Sequence, residues 1–198
     1  VTDTTDLRTG APLSDALLAV LPLVGEWAGL GIGAVASTGG GFAFRQHVTF
    51  AHDGRPFLVY ESRSWLTDED GHDIRPAFRE SGFWRPGAGP DDLEVVTVSI
   101  TGLAQLFVGT AGDQRWEIET TSIVGTPTAR QVAGERRLYA ISGDTLAYAT
   151  ELALTPDDYA PHLNATLQRV TAGSAAPAAG DAPDRSGSSP DSRPPAGR

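Results

Sequence analysis

The stretch Phe42-Ala43-Phe44-Arg45-Gln46-His47-Val48-Thr49-Phe50 decides the fold. Phe42, Phe44, Val48 and Phe50 share one side of a two-residue repeat, and Arg45, His47 and Thr49 share the other. A period of two, rather than 3.6, sorts side chains onto the core face and the solvent face of a half-buried strand. Trp116, Ile118 and Thr120 alternate with Glu117 and Glu119 in the same way, as do Leu146 and Tyr148 with Thr145 and Ala147. Sorting of this kind belongs to antiparallel sheets.

Turn chemistry then cuts the chain at short intervals. Asp53-Gly54, Asp70-Gly71, Gly87-Ala88-Gly89-Pro90, Thr101-Gly102, Ala111-Gly112-Asp113 and Ser142-Gly143-Asp144 all punctuate apolar runs. The strands between them are predicted at 26–35, 41–50, 56–66, 77–85, 93–101, 103–110, 114–122, 130–141, 144–154 and 161–170. Links of hairpin length leave no room for crossover helices, so about ten strands must form an up-and-down meander. Closing that meander removes both edges, which favours a single antiparallel β-barrel over a two-sheet sandwich. Ser14 or Asp15 is positioned to cap a short helix over Ala16 to Val20 that Pro22 ends. Residues 171–198 hold five prolines and no aromatic, Leu, Ile or Val, the composition of a disordered tail. The expected organisation is an N-terminal segment over 1–20, a barrel over 21–170 and a tail over 171–198.

Composition narrows the chemistry. The 198 residues include no Cys and no Met, and all 15 cationic side chains are Arg. That removes thiolate nucleophiles, Cys-type zinc and iron–sulfur sites, and lysine Schiff bases. The formal net charge of −10 falls wholly on residues 1–170, because three acids and three arginines cancel in the tail. An acidic body repels phosphate backbones and anionic lipid, so neither nucleic acid nor a membrane surface is expected as a partner. No run approaches the length of a membrane span, and Val1 to Asp6 is acidic where a signal peptide is basic. A cytoplasmic protein is expected.

The glycines of Gly25-Glu26-Trp27-Ala28-Gly29-Leu30-Gly31-Ile32-Gly33 are no dinucleotide fingerprint, because Ala34 to Gly41 that follows is not a helix. They read as a first barrel strand in which Trp27 plugs one end and the glycines permit sharp coiling or close approach of another group. Among the four histidines, His52 at a hairpin tip and His72 in a charged loop are expected to be solvated, and His47 to face the less apolar side of its strand. His162 opens the closing strand, grouped by alternation with Asn164, Thr166 and Gln168 opposite Leu163, Ala165 and Leu167. It is either a hydrogen-bonded strand histidine or, in a chain without Cys or Met, the natural axial ligand for a haem.

The ordered set of motifs resembles the nitrobindin family, also described as haem-dependent peroxynitrite isomerases. The GxWxGxG pattern stands as Gly25, Trp27, Gly29 and Gly31, preceded by Leu21-Pro22-Leu23. Phe50-Ala51-His52-Asp53-Gly54-Arg55-Pro56-Phe57-Leu58, Ser81-Gly82-Phe83-Trp84-Arg85 and Pro161-His162-Leu163-Asn164-Ala165-Thr166-Leu167-Gln168-Arg169 complete the match over roughly residues 20–170. The resemblance implies a ten-stranded barrel akin to fatty-acid-binding proteins, with one b-type haem (heme b) per subunit near its open end and His162 as the iron's axial ligand. It also implies Thr38 at the haem edge and Arg130 against a haem propionate. The implied activity is isomerisation of peroxynitrite to nitrate on ferric iron, with reversible nitric oxide binding, in a monomer or homodimer. If apolar side chains such as Phe44 or Leu30 line the distal side of the haem, little would stabilise bound dioxygen, and resting ferric iron is favoured over an oxygen carrier.

Two other classes fit parts of the sequence. A barrel carrying a fatty acid or similar apolar ligand would need an inward Arg for the carboxylate, and Arg45, Arg63 and Arg79 are the candidates. An acidic docking module for a basic partner has only its charge in favour, which an ordinary solvated surface also explains.

Overall fold

A computed structural model of the chain describes residues 2–34 and 40–171. Ten antiparallel strands follow one another as β1 (Gly25–Ala34), β2 (Gly41–Ala51), β3 (Leu58–Thr67), β4 (Asp73–Pro86), β5 (Asp92–Ser99), β6 (Leu103–Gly112), β7 (Arg115–Gly125), β8 (Gly134–Ser142), β9 (Thr145–Ala153) and β10 (Tyr159–Arg169). Each pairs with its sequence neighbour, and β1 also pairs with β10, with Trp27 opposite Arg169 and Gly33 opposite Leu163. The sheet is therefore a closed barrel without free edges, as the meander predicts. The expected tail lies outside the described residues, apart from Thr171.

Alternation along β2 puts Phe44, Val48 and Phe50 inside, while Arg45 and His47 stay on the outer wall, where His47 Nε2 lies 3.4 Å from a Glu26 carboxylate oxygen. One barrel end is sealed. A 3-10 helix, Asp15–Leu23, lies across it with Leu17, Val20 and Leu23 buried. The helix is tighter and longer than the predicted Ala16–Val20, and it includes Pro22. Ser14 precedes it without a side-chain capping bond. Its backbone is held by the barrel instead: Trp27 Nε1 donates to the Leu23 carbonyl and Trp116 Nε1 to the Ala19 carbonyl, each at 2.8 Å. Arg169 donates to the Val24 and Pro22 carbonyls and stacks its guanidinium 4.0 Å from the centre of the Trp27 ring. Trp27 thus plugs the closed end.

The β1 glycines are packing residues. A Cβ at Gly31 would collide with the Phe44 ring, sit 2.6 Å from the Asn164 carbonyl oxygen and 2.8 Å from the Ala165 Cβ. One at Gly33 would collide with the Phe42 ring and sit 2.7 Å from Leu163. Close approach is what the motif provides, and the groups that approach are aromatic rings and the neighbouring strand.

Candidate functional site

The end opposite the 3-10 helix opens into a cavity of about 510 Å3, within the usual range for a small-molecule or cofactor site. Its mouth is lined by Phe42, Leu66, Phe78, Leu103, Leu163 and His162, with the exposed Arg75 and Arg130 at the rim. Arg130 lies in the link between β7 and β8, since β8 begins at Gly134 and not at 130 as predicted.

How His162 reaches the cavity is a matter of register. Simple alternation puts His162 with Asn164 and Thr166, and those two are exposed on the outer wall. The β9–β10 ladder runs from Pro161 opposite Glu151 directly to Leu163 opposite Thr150, leaving His162 as an extra residue in a bulge. A bulge breaks the two-residue repeat and re-aims a side chain, so both His162 and Leu163 line the cavity. The bulge is tied down from both sides. Leu163 N–H donates to Thr150 Oγ1 at 3.1 Å, and His162 Nδ1 lies 3.0 Å from the Ala34 carbonyl oxygen. A carbonyl only accepts, so Nδ1 carries a proton, and in a neutral ring that puts the lone pair on Nε2. Nε2 has no hydrogen-bond partner among the described residues, which leaves it available as a ligand atom.

These features fit a haem. A half-buried imidazole with an orienting bond on its other nitrogen, apolar walls and two rim cations for carboxylates form a suitable donor set. Phe44 stands in the wall as expected, but Leu30 does not: it is 57% exposed on the outer surface, because β1 turns its glycines inward. Thr38 lies outside the described residues.

Below the mouth the cavity carries a polar belt that sequence reasoning missed. Arg137 donates from Nη1 and Nη2 to the two Glu80 oxygens at 2.6 and 2.8 Å, and from Nε and Nη2 to Glu135 at 2.7 and 3.2 Å. Gln105 Nε2 donates to Glu135 at 2.7 Å. All four side chains are buried. Burial alone would lower the Arg137 pKa, but Glu135 and Glu80 outweigh it and hold the guanidinium well above its ordinary value. Tyr148 donates to Gln46 Oε1, and Gln46 Nε2 donates to Ser62, each at 2.8 Å. Burial, reinforced by neighbouring Tyr139, raises the Tyr148 pKa, so its phenol stays neutral.

Several expectations change here. Arg45, Arg63 and Arg79 all sit on the outer wall, Arg45 paired with Asp73 and the other two with Glu61. His72 is exposed as expected, but His52 is only 1% exposed, and neither ring nitrogen has a partner among the described residues. The cause is the N-terminal segment, which folds over the hairpin and exchanges backbone hydrogen bonds between Thr4 and His52.

Comparison with known proteins adds an independent finding. Residues 16–169 match the family model described as THAP4-like, heme-binding beta-barrel domain. A ferric nitrobindin-like protein of Saccharopolyspora erythraea is 44% identical over 173 residues, covering 86% of this chain and 81% of its own. A peroxynitrite isomerase of Salinispora arenicola is 43% identical over 169 residues, covering 83% of this chain and 86% of its own. The crystal structure of Rv2717c from M. tuberculosis superposes with a TM-score of 0.70 at 33% identity, over 80% of this chain and 99% of that one.

Proposed function

This chain belongs to the family of THAP4-like, heme-binding β-barrel domains, and on that premise we propose that it is a haem-dependent peroxynitrite isomerase, releasing nitrate. The observation that carries the proposal is the His162 ring, which lines the cavity with Nδ1 bonded to the Ala34 carbonyl and Nε2 free. Relatives named peroxynitrite isomerase, at 41 to 43% identity and spanning most of this chain, support the same reading.

In this proposal His162 Nε2 would ligate the iron of one b-type haem per barrel. Arg130 and Arg75 would meet its propionates at the rim, and the family resemblance would put Thr38, outside the described residues, at its edge. Bound there, the haem would supply a ferric centre for isomerising peroxynitrite to nitrate. Isomerisation consumes no net proton or electron, so the chain needs no general acid, base or reductant beside His162. What the chain does supply is placement. The bulge holds the imidazole in one tautomer, and Phe42, Phe44, Leu163 and Leu66 keep the inner side of the mouth dry. The rim arginines bring two positive charges to the entrance of an otherwise acidic protein, which favours arrival of an anion. Nitric oxide, a small neutral ligand, would bind the same iron.

A fatty-acid carrier is less well supported. Among the described residues the buried guanidinium in the cavity is Arg137, and it is already bonded to two carboxylates, so a third finds no free cation at that depth. The test of function is stopped-flow decay of peroxynitrite with the haem-loaded protein, with nitrate quantified as product. Acceleration over free haemin with near-complete nitrate yield is expected. Decay no faster than in buffer would rule the activity out.

A further inference from the structure

The belt below the mouth has features that a haem at the rim does not account for. Two buried carboxylates, Glu80 and Glu135, face one buried guanidinium, so the cluster is one negative charge in excess. Arg137 is satisfied on both sides by these partners and has little left to offer an anion. The buried Gln105 adds a neutral donor to Glu135 but no charge.

A second, independent observation points to a ligand. Tyr60 is 4% exposed and lines the cavity, yet its hydroxyl has no hydrogen-bond partner among the described residues. The hydroxyl is not among the sealed, unpartnered polar atoms, so it faces the cavity and is open to whatever fills it, water or a ligand. The rings of Tyr60, Tyr139 and Tyr148 line the same chamber, with Tyr139 and Tyr148 centred 5.6 Å apart. Val48, Leu146 and Leu167 complete an apolar floor. Aromatic faces beside a cluster of two carboxylates to one guanidinium form an environment that attracts an organic cation and repels an organic anion.

We propose that the inner part of this cavity, deeper in the barrel than His162, is a second ligand site selective for a small amphiphile with an ammonium head. The head lies against the Glu80–Arg137–Glu135 cluster with the Tyr60 hydroxyl as an acceptor. The short apolar tail rests on Val48, Leu146 and Leu167. The site inverts the preference of a fatty-acid barrel, and it keeps anionic substrate or product at the rim, on the side of Arg75 and Arg130. It rests on residues of the barrel interior alone and stands whether or not the haem assignment does.

The experiment is isothermal titration calorimetry with n-butylammonium, n-butanol and butyrate, which share a tail and differ in charge, on the haem-free and the haem-loaded protein. Butylammonium is expected to saturate one site and to bind at least about tenfold tighter than butyrate, with butanol between them. Glu135→Gln, which brings the cluster to neutrality, is expected to reduce that preference to about twofold. Tyr60→Phe leaves every ion pair intact and is expected to weaken butylammonium several-fold, so the proposal stays testable if Glu135→Gln does not fold. In the haem-loaded protein the Soret band is expected to stay in place as the chamber fills. Butyrate binding as tightly as butylammonium, no saturable binding by any of the three, or a Soret shift that tracks amine binding and so places it on iron would each overturn the proposal.

Discussion

Replacing Thr150 by Val removes one oxygen and keeps the branched shape that a strand prefers. In the wild-type barrel that oxygen accepts the Leu163 N–H at the bulge, and Thr150 is 5% exposed. An amide left unsatisfied at a buried position costs about 1–3 kcal/mol. The cheapest relief is to relax the bulge, which returns His162 toward the outer wall where simple alternation puts it. If the whole cost falls on the binding-competent register, haem affinity drops by about 5- to 150-fold. The assay is haemin titration followed at the Soret band, with thermal unfolding of the apoprotein in parallel. Thr150→Ser, which keeps the acceptor, is expected to stay close to wild type. Wild-type haem affinity in Thr150→Val would refute the idea that this bond holds His162 in place.

Other perturbations follow from the same geometry. Gly31→Ala pushes a methyl group into the Phe44 ring and the Asn164 carbonyl, an overpacking cost of about 1–3 kcal/mol that should lower Tm by several degrees; an unchanged Tm contradicts the packing role given to the motif. Losing both rim cations in Arg75→Ala with Arg130→Ala is expected to weaken haem several-fold while the melting curve stays put, since both side chains are exposed. The Arg45 guanidinium beside Asp73 holds that carboxyl below its ordinary value. A depressed acid contributes stability that is present above the unfolded carboxylate pKa of about 3.9 and is lost as pH falls through the lower folded value. Asp73→Asn should therefore flatten part of the acid limb of Tm against pH, and identical limbs would show that the pair contributes nothing.

Much of the barrel was legible because its outer wall is wet and its inner wall is largely apolar. The β2 run that begins at Phe42 could take only one register with its aromatics inside. The same logic misleads at Glu135-Arg136-Arg137-Leu138-Tyr139. Alternation groups Glu135 with Arg137, and a charged pair on one face reads as solvent-facing, yet both are buried and Arg136 is the exposed one. Here the interior is polar, and only the matching glutamate on β4, Glu80, makes that face affordable. A long-range pairing of this kind leaves no local trace. His52 was misread because its burial depends on Thr4, a residue far from it in sequence. His162 was identified by its neighbourhood and the motif around it, but its inward aim depends on a bulge that no spacing announces. The β1 glycines were open to two readings, and the rings of Phe42 and Phe44 favour close packing.

The central claim is that His162 offers Nε2 to iron inside the barrel. Its most direct test is the absorption spectrum of the protein purified with added haemin, compared with His162→Ala prepared in parallel. The account predicts a sharp Soret band in wild type, lost or displaced to that of weakly held haem in the variant, with both proteins equally folded by circular dichroism. A variant whose spectrum and haem content match the wild type would contradict it.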